Sequence, residues 1–178
     1  MPPEPKIVCP SASLSLQGLR LPNGLRVDSL TARASDVALW TEPFRSDLRG
    51  GGQAEASVLL SDVAAMLNAA APSGLREFRL SGSAEGIAVE AVRSGVLSVR
   101  VRALVALEVR GGTDLAARLL SAKVFGANLG RWLESTLERM NPLFSVKDLP
   151  LPLRLERADV EPDRVVLRLT MPPASYPP

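Results

Sequence analysis

The sequence predicts an α+β domain built from long, mainly antiparallel β-strands and two amphipathic helices. Most of the chain alternates apolar with polar residues, the period of a half-buried strand, and turn residues such as Pro22-Asn23-Gly24 separate these segments. Two other segments instead repeat apolar residues at intervals of three and four, which is the period of a helix face. A chain of 178 residues that is 46% hydrophobic suits one domain with a single sizeable core.

We predict that this single domain spans residues 12–171. The Pro-rich segment 1–11 is expected to be a disordered lead-in, and the Pro-rich segment 172–178 a disordered tail. The longest strand of a predicted meander over residues 75–110 lies at 96–110, where Val101, Val105 and Val109 share one face and Arg100 lies on the other. The remaining strands are predicted at 13–21, 25–39, 53–60, 75–80, 86–93, 115–125, 151–156 and 165–169.

The first predicted helix begins at Ser61. This residue type is a good N-cap, and Asp62 in the first turn suits the positive end of the helix dipole. The sequence Pro72-Ser73-Gly74 is expected to end the helix. Its apolar side consists of Val63, Met66, Leu67 and Ala70.

The second helix is the stronger of the two. Asn128 is its expected N-cap, and Pro142 is expected to stop it just after Asn141. Its apolar stripe consists of Leu129, Trp132, Leu133, Thr136, Leu137 and Met140. Such a stripe cannot stay solvated and must pack against a sheet or a ligand.

The residue types needed for common catalytic chemistry are absent. The chain has no histidine, so it has no histidine base, triad or metal ligand, and its one cysteine, Cys9, cannot form an intrachain disulfide or a Cys-based zinc site. Glu134 and Glu138 are one helical turn apart beside two arginines, a pattern of solvated ion pairs. We therefore predict a protein that is not an enzyme and has no catalytic residue, metal or cofactor. A hydrolase would need a serine with an unconventional base.

The charge pattern argues against a nucleic-acid partner. The net charge is only +2, aromatic residues make up 4% of the chain, and the arginines are spread along the predicted strands, as on a solvated sheet face. The N-terminus has no apolar run of signal-peptide length, and no window is long and apolar enough for a membrane span. The expected location is cytoplasmic or membrane-peripheral, or facing the cell envelope if a leader has been removed.

The apolar faces are the remaining candidates for function. They can enclose a fully packed, dry core, or they can leave a groove between the helices and the sheet that accepts an acyl chain. In the second case, Trp40 and Phe44 of an aromatic loop, with Leu143 and Phe144, would form the mouth. The helix residues predicted to contact the lipid are Val63, Met66, Leu67, Leu129, Trp132, Leu133 and Leu137.

Four segments follow one another in a characteristic order: the strand and helix ASVLLSDVAAMLN at 56–68, the helix end RMNPLF at 139–144, the proline-punctuated LPLPL at 149–153 and the terminal hairpin EPDRVVLRL at 161–169. Taken together, these segments resemble the LmeA-like phospholipid-binding family. The resemblance covers roughly residues 12–171, and its motifs are structural, so no catalytic residue is carried over.

The resemblance implies a curved antiparallel sheet wrapped around two helices, akin to tubular lipid-binding domains. It also implies non-enzymatic binding of phospholipid or another acyl-chain lipid, often in or facing a bacterial cell envelope, with a membrane surface as a further partner. The alternative is a protein-interaction or scaffold domain with a dry core, which would use an exposed strand edge or the Pro-rich tail.

Overall fold

The computed structural model describes residues 7–22, 24–41, 44–95, 98–123, 129–148 and 153–176, without the side chains of residues 41, 44–46, 73, 129, 148 and 176. Its architecture is α+β with antiparallel strands and two helices, which confirms the predicted class. The strands, however, divide between two sheets, whereas the sequence predicted one long sheet. The period of an amphipathic strand sets which face is buried but does not specify its pairing partner.

The large sheet has seven strands in the order β10-β11-β4-β2-β3-β12, and β1 pairs with the free side of β2. Its longest strand, β2, pairs with β4 through residues 29–34 and with β3 through residues 37–41. Asp36, at the point where the partner changes, has a φ of 48°. The strands are β1 Ile7–Arg20, β2 Arg26–Thr41, β3 Phe44–Leu48, β4 Gly52–Leu59, β10 Arg154–Val160, β11 Arg164–Met171 and β12 Ala174–Tyr176.

The small sheet has five strands in the order β5-β6-β7-β8-β9. It is a meander, because each strand pairs with the strand before it in the chain. Helix α2 interrupts the chain only between the last two strands. The strands are β5 Leu75–Ser83, β6 Gly86–Arg93, β7 Val99–Arg110, β8 Asp114–Lys123 and β9 Phe144–Ser145.

Backbone hydrogen bonds join the two sheets where their ends meet. Gly82 N–H donates to the carbonyl of Pro162 at 2.9 Å, and Leu155 N–H donates to the carbonyl of Gly112 at 2.8 Å. A β-carbon built on Gly82 would lie 1.9 Å from the carbonyl oxygen of Glu161, so only glycine permits this approach. The two sheets therefore enclose a common interior.

Both helices lie where the sequence predicted them. Helix α1 spans Leu60–Ala70 and packs chiefly on β5, and helix α2 spans Leu129–Met140 and packs on β8. The prediction of Ser61 as the N-cap of α1 is wrong: Leu59 holds that position and makes no side-chain capping bond. Instead, Leu60 N–H donates to the carbonyl of Asp163 at 2.8 Å, so the neighbouring β10–β11 turn satisfies this end of the helix.

Strands are also present within the segments that the sequence predicts as lead-in and tail. Strand β1 begins at Ile7, inside the predicted lead-in, and pairs with β2 from Ile7↔Leu39 onward. Within the predicted tail, Ala174–Tyr176 form β12 on β3. Most side chains of β1 are exposed, so the ladder of backbone hydrogen bonds, more than side-chain burial, holds these residues in place.

The core consists of two clusters. The larger joins the two sheets through buried residues such as Leu155 and Leu167 of the large sheet and Ile87 and Leu115 of the small sheet. The smaller cluster joins the helices to the small sheet, where Leu133 of α2 packs with Leu75, Phe78, Ala91 and Val101. The helices therefore form a third wall of the space between the sheets.

Candidate functional site: the apolar cavity

A cavity of about 520 Å³ lies between the two sheets and the two helices. Its walls come from β1, β2, β4 and β11 of the large sheet, from β5 to β9 of the small sheet and from both helices. Leu19, at the end of β1, lines the cavity and is 37% exposed to solvent, so the lining reaches the protein surface there.

The lining is almost wholly apolar. Among the described residues that form it, Thr136 is the one with a polar side chain. Its hydroxyl lies 3.3 Å from the donor Nη2 of Arg139, so that oxygen has a hydrogen-bond partner. An apolar space of this kind can hold hydrocarbon.

Helix α1 contributes one wall. Val63, Met66 and Leu67 line the cavity at the spacing that places them on one helix face. Asn68, one residue further, fastens the helix to β5: Phe78 N–H donates to Asn68 Oδ1 at 2.8 Å, and Asn68 Nδ2 lies 3.4 Å from the carbonyl of Phe78. The β5 ladder shifts register between Arg76 and Arg79, which leaves the backbone of Phe78 available for this amide.

Helix α2 also lines the cavity, through Leu133, Thr136, Leu137 and Met140. Just after its last residue, the side chain of Asn141 bonds to both backbone groups of Ala117 in β8. Each helix is thus fixed to the small sheet by an asparagine amide near its C-terminal end.

Seven of the predicted lipid-contacting residues line the cavity. They are Val63, Met66, Leu67, Leu133, Leu137, Leu143 and Phe144. Leu143 and Phe144 take part because Leu143 N–H donates to the carbonyl of Leu115 at 2.8 Å and β9 pairs with the start of β8.

Two predicted site residues, Trp40 and Trp132, do not line the cavity, and for two others the structure does not describe the side chain. Trp40 is 8% exposed and buried in β2, but it is not part of the lining. Trp132 packs in the smaller core cluster, where the guanidinium carbon of Arg93 lies 4.5 Å from its ring centroid, a cation–π distance. The side chains of Phe44 and Leu129 lie outside the described part.

Most of the lining was not predicted as a site. Leu30, Ala56, Phe78, Val105 and Leu167 all lie in predicted strands, but none of them is among the predicted site residues. Alternation indicates that such residues face inward, but it does not distinguish a wall that meets another side chain from a wall that borders open space.

No charged side chain belongs to the described lining of the cavity, although several lie near it. Asp114 accepts hydrogen bonds from Ser145 Oγ at 2.6 Å and Lys147 Nζ at 3.2 Å, and these bonds hold the pKa of its carboxyl below the usual range. The neighbouring Arg164 likewise lowers the pKa of Asp163. Within the described residues, no three side chains of metal-binding type come together.

The chain belongs to the LmeA-like phospholipid-binding family, because the sequence model of that family matches residues 9–170. This match confirms the resemblance inferred from the sequence motifs. Searches of curated proteins and of solved structures returned no significant match. Neither helix of the described chain has the length and apolar character required to cross a lipid bilayer.

Proposed function

We propose that this protein binds or carries phospholipid, or another acyl-chain lipid, without chemical change, and that the acyl chain occupies the apolar cavity. The observation that carries the proposal is the cavity itself, about 520 Å³ with Thr136 as the one polar residue of its described lining. This volume lies within the range of roughly 300–1,000 Å³ that is usual for ligand sites.

The lining is suited to hydrocarbon in both energy and shape. Transfer of each methylene from water to an apolar site contributes about 0.8 kcal/mol, so burial of about ten methylenes gives on the order of 8 kcal/mol before the cost of ordering the chain. In this proposal the sheets curve around α1 and α2, and the helix residues Val63, Met66, Leu67, Leu133 and Leu137 contact the tail. Leu143 and Phe144 contact it near the end of α2.

The proposed mechanism is binding, not catalysis. The tail is held by dispersion and by exclusion of water, while the polar headgroup stays outside, because a phosphate buried against leucine and valine would lose its hydration without compensation. No side chain of the described lining is an acid or a base at neutral pH. The lining therefore offers no base to activate the hydroxyl of Thr136 as a nucleophile.

Native mass spectrometry tests the proposal. The protein is measured in volatile buffer, once as purified and once after incubation with a detergent-dispersed phospholipid. We expect an adduct with the mass of one phospholipid, and an unchanged phospholipid mass after release.

Two results would contradict it. The absence of any adduct, from cells or from detergent, would favour a scaffold with a dry core. Release of lysophospholipid or free fatty acid in place of the intact lipid would point to hydrolysis.

A further inference from the structure

Strand β1 carries an exposed apolar surface that continues one wall of the cavity. Leu14 and Leu16 are 48% and 38% exposed, although both are large apolar residues. We call this surface the β1 strip. It consists of Ala12, Leu14 and Leu16 of β1 with their partners Ala34, Ala32 and Leu30 of β2.

The strand register places the β1 strip on the cavity side of the large sheet. Leu16 pairs with Leu30, and Leu30 pairs with Ala56 of β4. Directly paired residues project from the same face of a sheet, and both Leu30 and Ala56 line the cavity. The strip is therefore the part of the cavity wall that extends beyond the cover of the helices and the small sheet.

The strip lies on an edge strand that lacks the usual protection by charge. From Ile7 to Leu19, β1 contains no charged residue, and among the described strands it pairs only with β2. Edge strands are commonly protected by lysine or other charges. Pairing with a strand from a second copy would satisfy the free backbone edge, but it would place more side chains beside the strip and leave its face uncovered.

A pair of arginines lies at the cavity end of the same hairpin. Arg20 and Arg26 are direct partners across β1 and β2, and like charges in that position repel. Arg26 Nη1 lies 3.8 Å from Asp62 Oδ2, whereas Arg20 makes no ion pair with a described residue. The next residues toward the tip, Leu21 and Leu25, line the cavity. The positive charge of Arg20 therefore lies beside the apolar lining without a described counter-charge. A phospholipid places its phosphate next to its hydrocarbon in the same way, so the two are complementary.

We propose that the β1 strip and the Arg20–Arg26 pair form the surface by which the protein docks on a phospholipid bilayer. The strip lies at the boundary between the headgroups and the acyl chains, where water still reaches the free backbone edge of β1, and the arginines lie at the level of the phosphates. A lipid passes between the bilayer and the cavity along the continuous wall from Leu16 to Leu30. This inference rests on the proposed lipid-binding function and identifies where the lipid enters.

Vesicle sedimentation with matched variants tests the docking surface. The wild type is compared with Leu14→Ser/Leu16→Ser and with Arg20→Gln, on phosphatidylcholine vesicles and on vesicles that also contain phosphatidylglycerol. The matched controls are Leu120→Ser, an exposed leucine of β8 in the other sheet, and Arg100→Gln, an exposed arginine of β7.

We expect the double serine variant to bind both kinds of vesicle at least about tenfold more weakly, because two leucines no longer leave water. Arg20→Gln should lose up to about fivefold on anionic vesicles at low salt, and little at high salt. Leu120→Ser and Arg100→Gln should bind as the wild type does. Because Leu14 and Leu16 are exposed, the circular dichroism and melting curve of the variant should match those of the wild type.

Two outcomes would overturn the proposal. One is vesicle binding by the double serine variant equal to that of the wild type. The other is a wild-type dimer, measured by light scattering, that the same variant converts to a monomer without a change in vesicle binding, because the strip would then serve a second copy of the chain.

Loading from detergent separates this inference from the proposed function. If the wild type takes up no phospholipid in native mass spectra, lipid binding itself is wrong. If wild type and variants load equally from detergent, but the double serine variant extracts lipid from vesicles as fast as the wild type, only the docking surface is wrong. Equal loading with slow extraction by the variant supports both.

Discussion

The side-chain amide of Asn141 pairs with the backbone of Ala117 as the next strand of the sheet would. Ala117 N–H donates to Asn141 Oδ1 at 2.8 Å, and Asn141 Nδ2 donates to the carbonyl of Ala117 at 2.8 Å. This contact fixes the end of α2 on β8, and Asn68 makes the corresponding contact between α1 and Phe78 of β5. The two amides hold the helices that form one wall of the cavity.

Asn141→Ala should lower the free energy of unfolding by about 2–4 kcal/mol. The change removes two hydrogen bonds and leaves the N–H and C=O of Ala117, a residue that is 2% exposed, without those partners. Urea unfolding followed by circular dichroism measures the loss. Asn68→Ala is the matched comparison and should cost less, since Asn68 is exposed and one of its contacts is 3.4 Å long. Equal losses of unfolding free energy in Asn141→Ala and Asn68→Ala would contradict this prediction.

Ala103→Phe should block lipid uptake without unfolding the protein. Ala103 lines the cavity from β7, so a larger side chain there would fill part of the space in which we propose that the acyl chain binds. Overpacking usually costs about 1–3 kcal/mol, but open space next to the residue should reduce that cost. We expect the lipid adduct in native mass spectra to fall at least about tenfold.

The control for this change is Ala65→Phe, on the exposed side of α1. It adds the same side chain outside the cavity and should leave lipid loading unchanged. Normal loading of Ala103→Phe, with a folded spectrum, would place the acyl chain elsewhere.

Because of Asp114, the free energy of unfolding should decrease as the pH falls into the acid range. Its pKa is lowered in the folded protein, chiefly by the hydrogen bond from Ser145 and then by that from Lys147. The folded state therefore binds fewer protons than the unfolded state, in which an aspartate has a pKa of about 3.9. The contribution is present in full above that value and is lost as the pH falls through the lower folded pKa.

Unfolding midpoints measured between pH 2 and pH 6 test this sign. Compared with the wild type, Asp114→Asn should lose stability at pH 6 and converge toward it at the acid end of the series. A gap between the two proteins that widens as the pH falls would contradict the sign.

Brominated phospholipid should quench the two tryptophans unequally. Trp132 is next to Leu133, which lines the cavity, whereas Trp40 is buried in the large sheet and does not line it. Trp40→Phe, which retains Trp132, should therefore be quenched more strongly than Trp132→Phe when acyl chains carrying bromine are bound. Equal quenching of the two variants would contradict the placement of the tail beside α2.

Much of the local structure could be predicted from the sequence because it depends on neighbours along the chain. Alternation along residues 86–93 and 165–169 indicated strands, and the spacing of Val63, Met66 and Leu67 indicated one helix face. The motifs at 56–68 and 161–169 carried the family resemblance. The helix pattern also placed five cavity residues, Val63, Met66, Leu67, Leu133 and Leu137, among the site predictions, because the apolar faces of both helices border the cavity.

The structure differs from the sequence-based expectations where contacts between distant segments decide the local structure. Serine is a residue type that often caps helices, so Ser61 was the expected N-cap. In the structure the helix begins one residue earlier, where Leu60 N–H donates to the carbonyl of Asp163, about a hundred residues away. The first residues of β1 resemble a disordered lead-in, but the ladder to β2 orders them from Ile7. Trp40 resembles an exposed aromatic at a rim, yet it is buried within the large sheet.

The sequence by itself determined the class of the fold, the helix faces and the absence of histidine and disulfide chemistry. These follow from residue type and from periods of two and 3.6, which each segment carries alone. The tertiary structure alone decided that the strands form two sheets, that a cavity remains between them and that the β1 strip continues its wall. Those features depend on strand pairing and on the space left by packing, and neither is encoded in the spacing of a single segment.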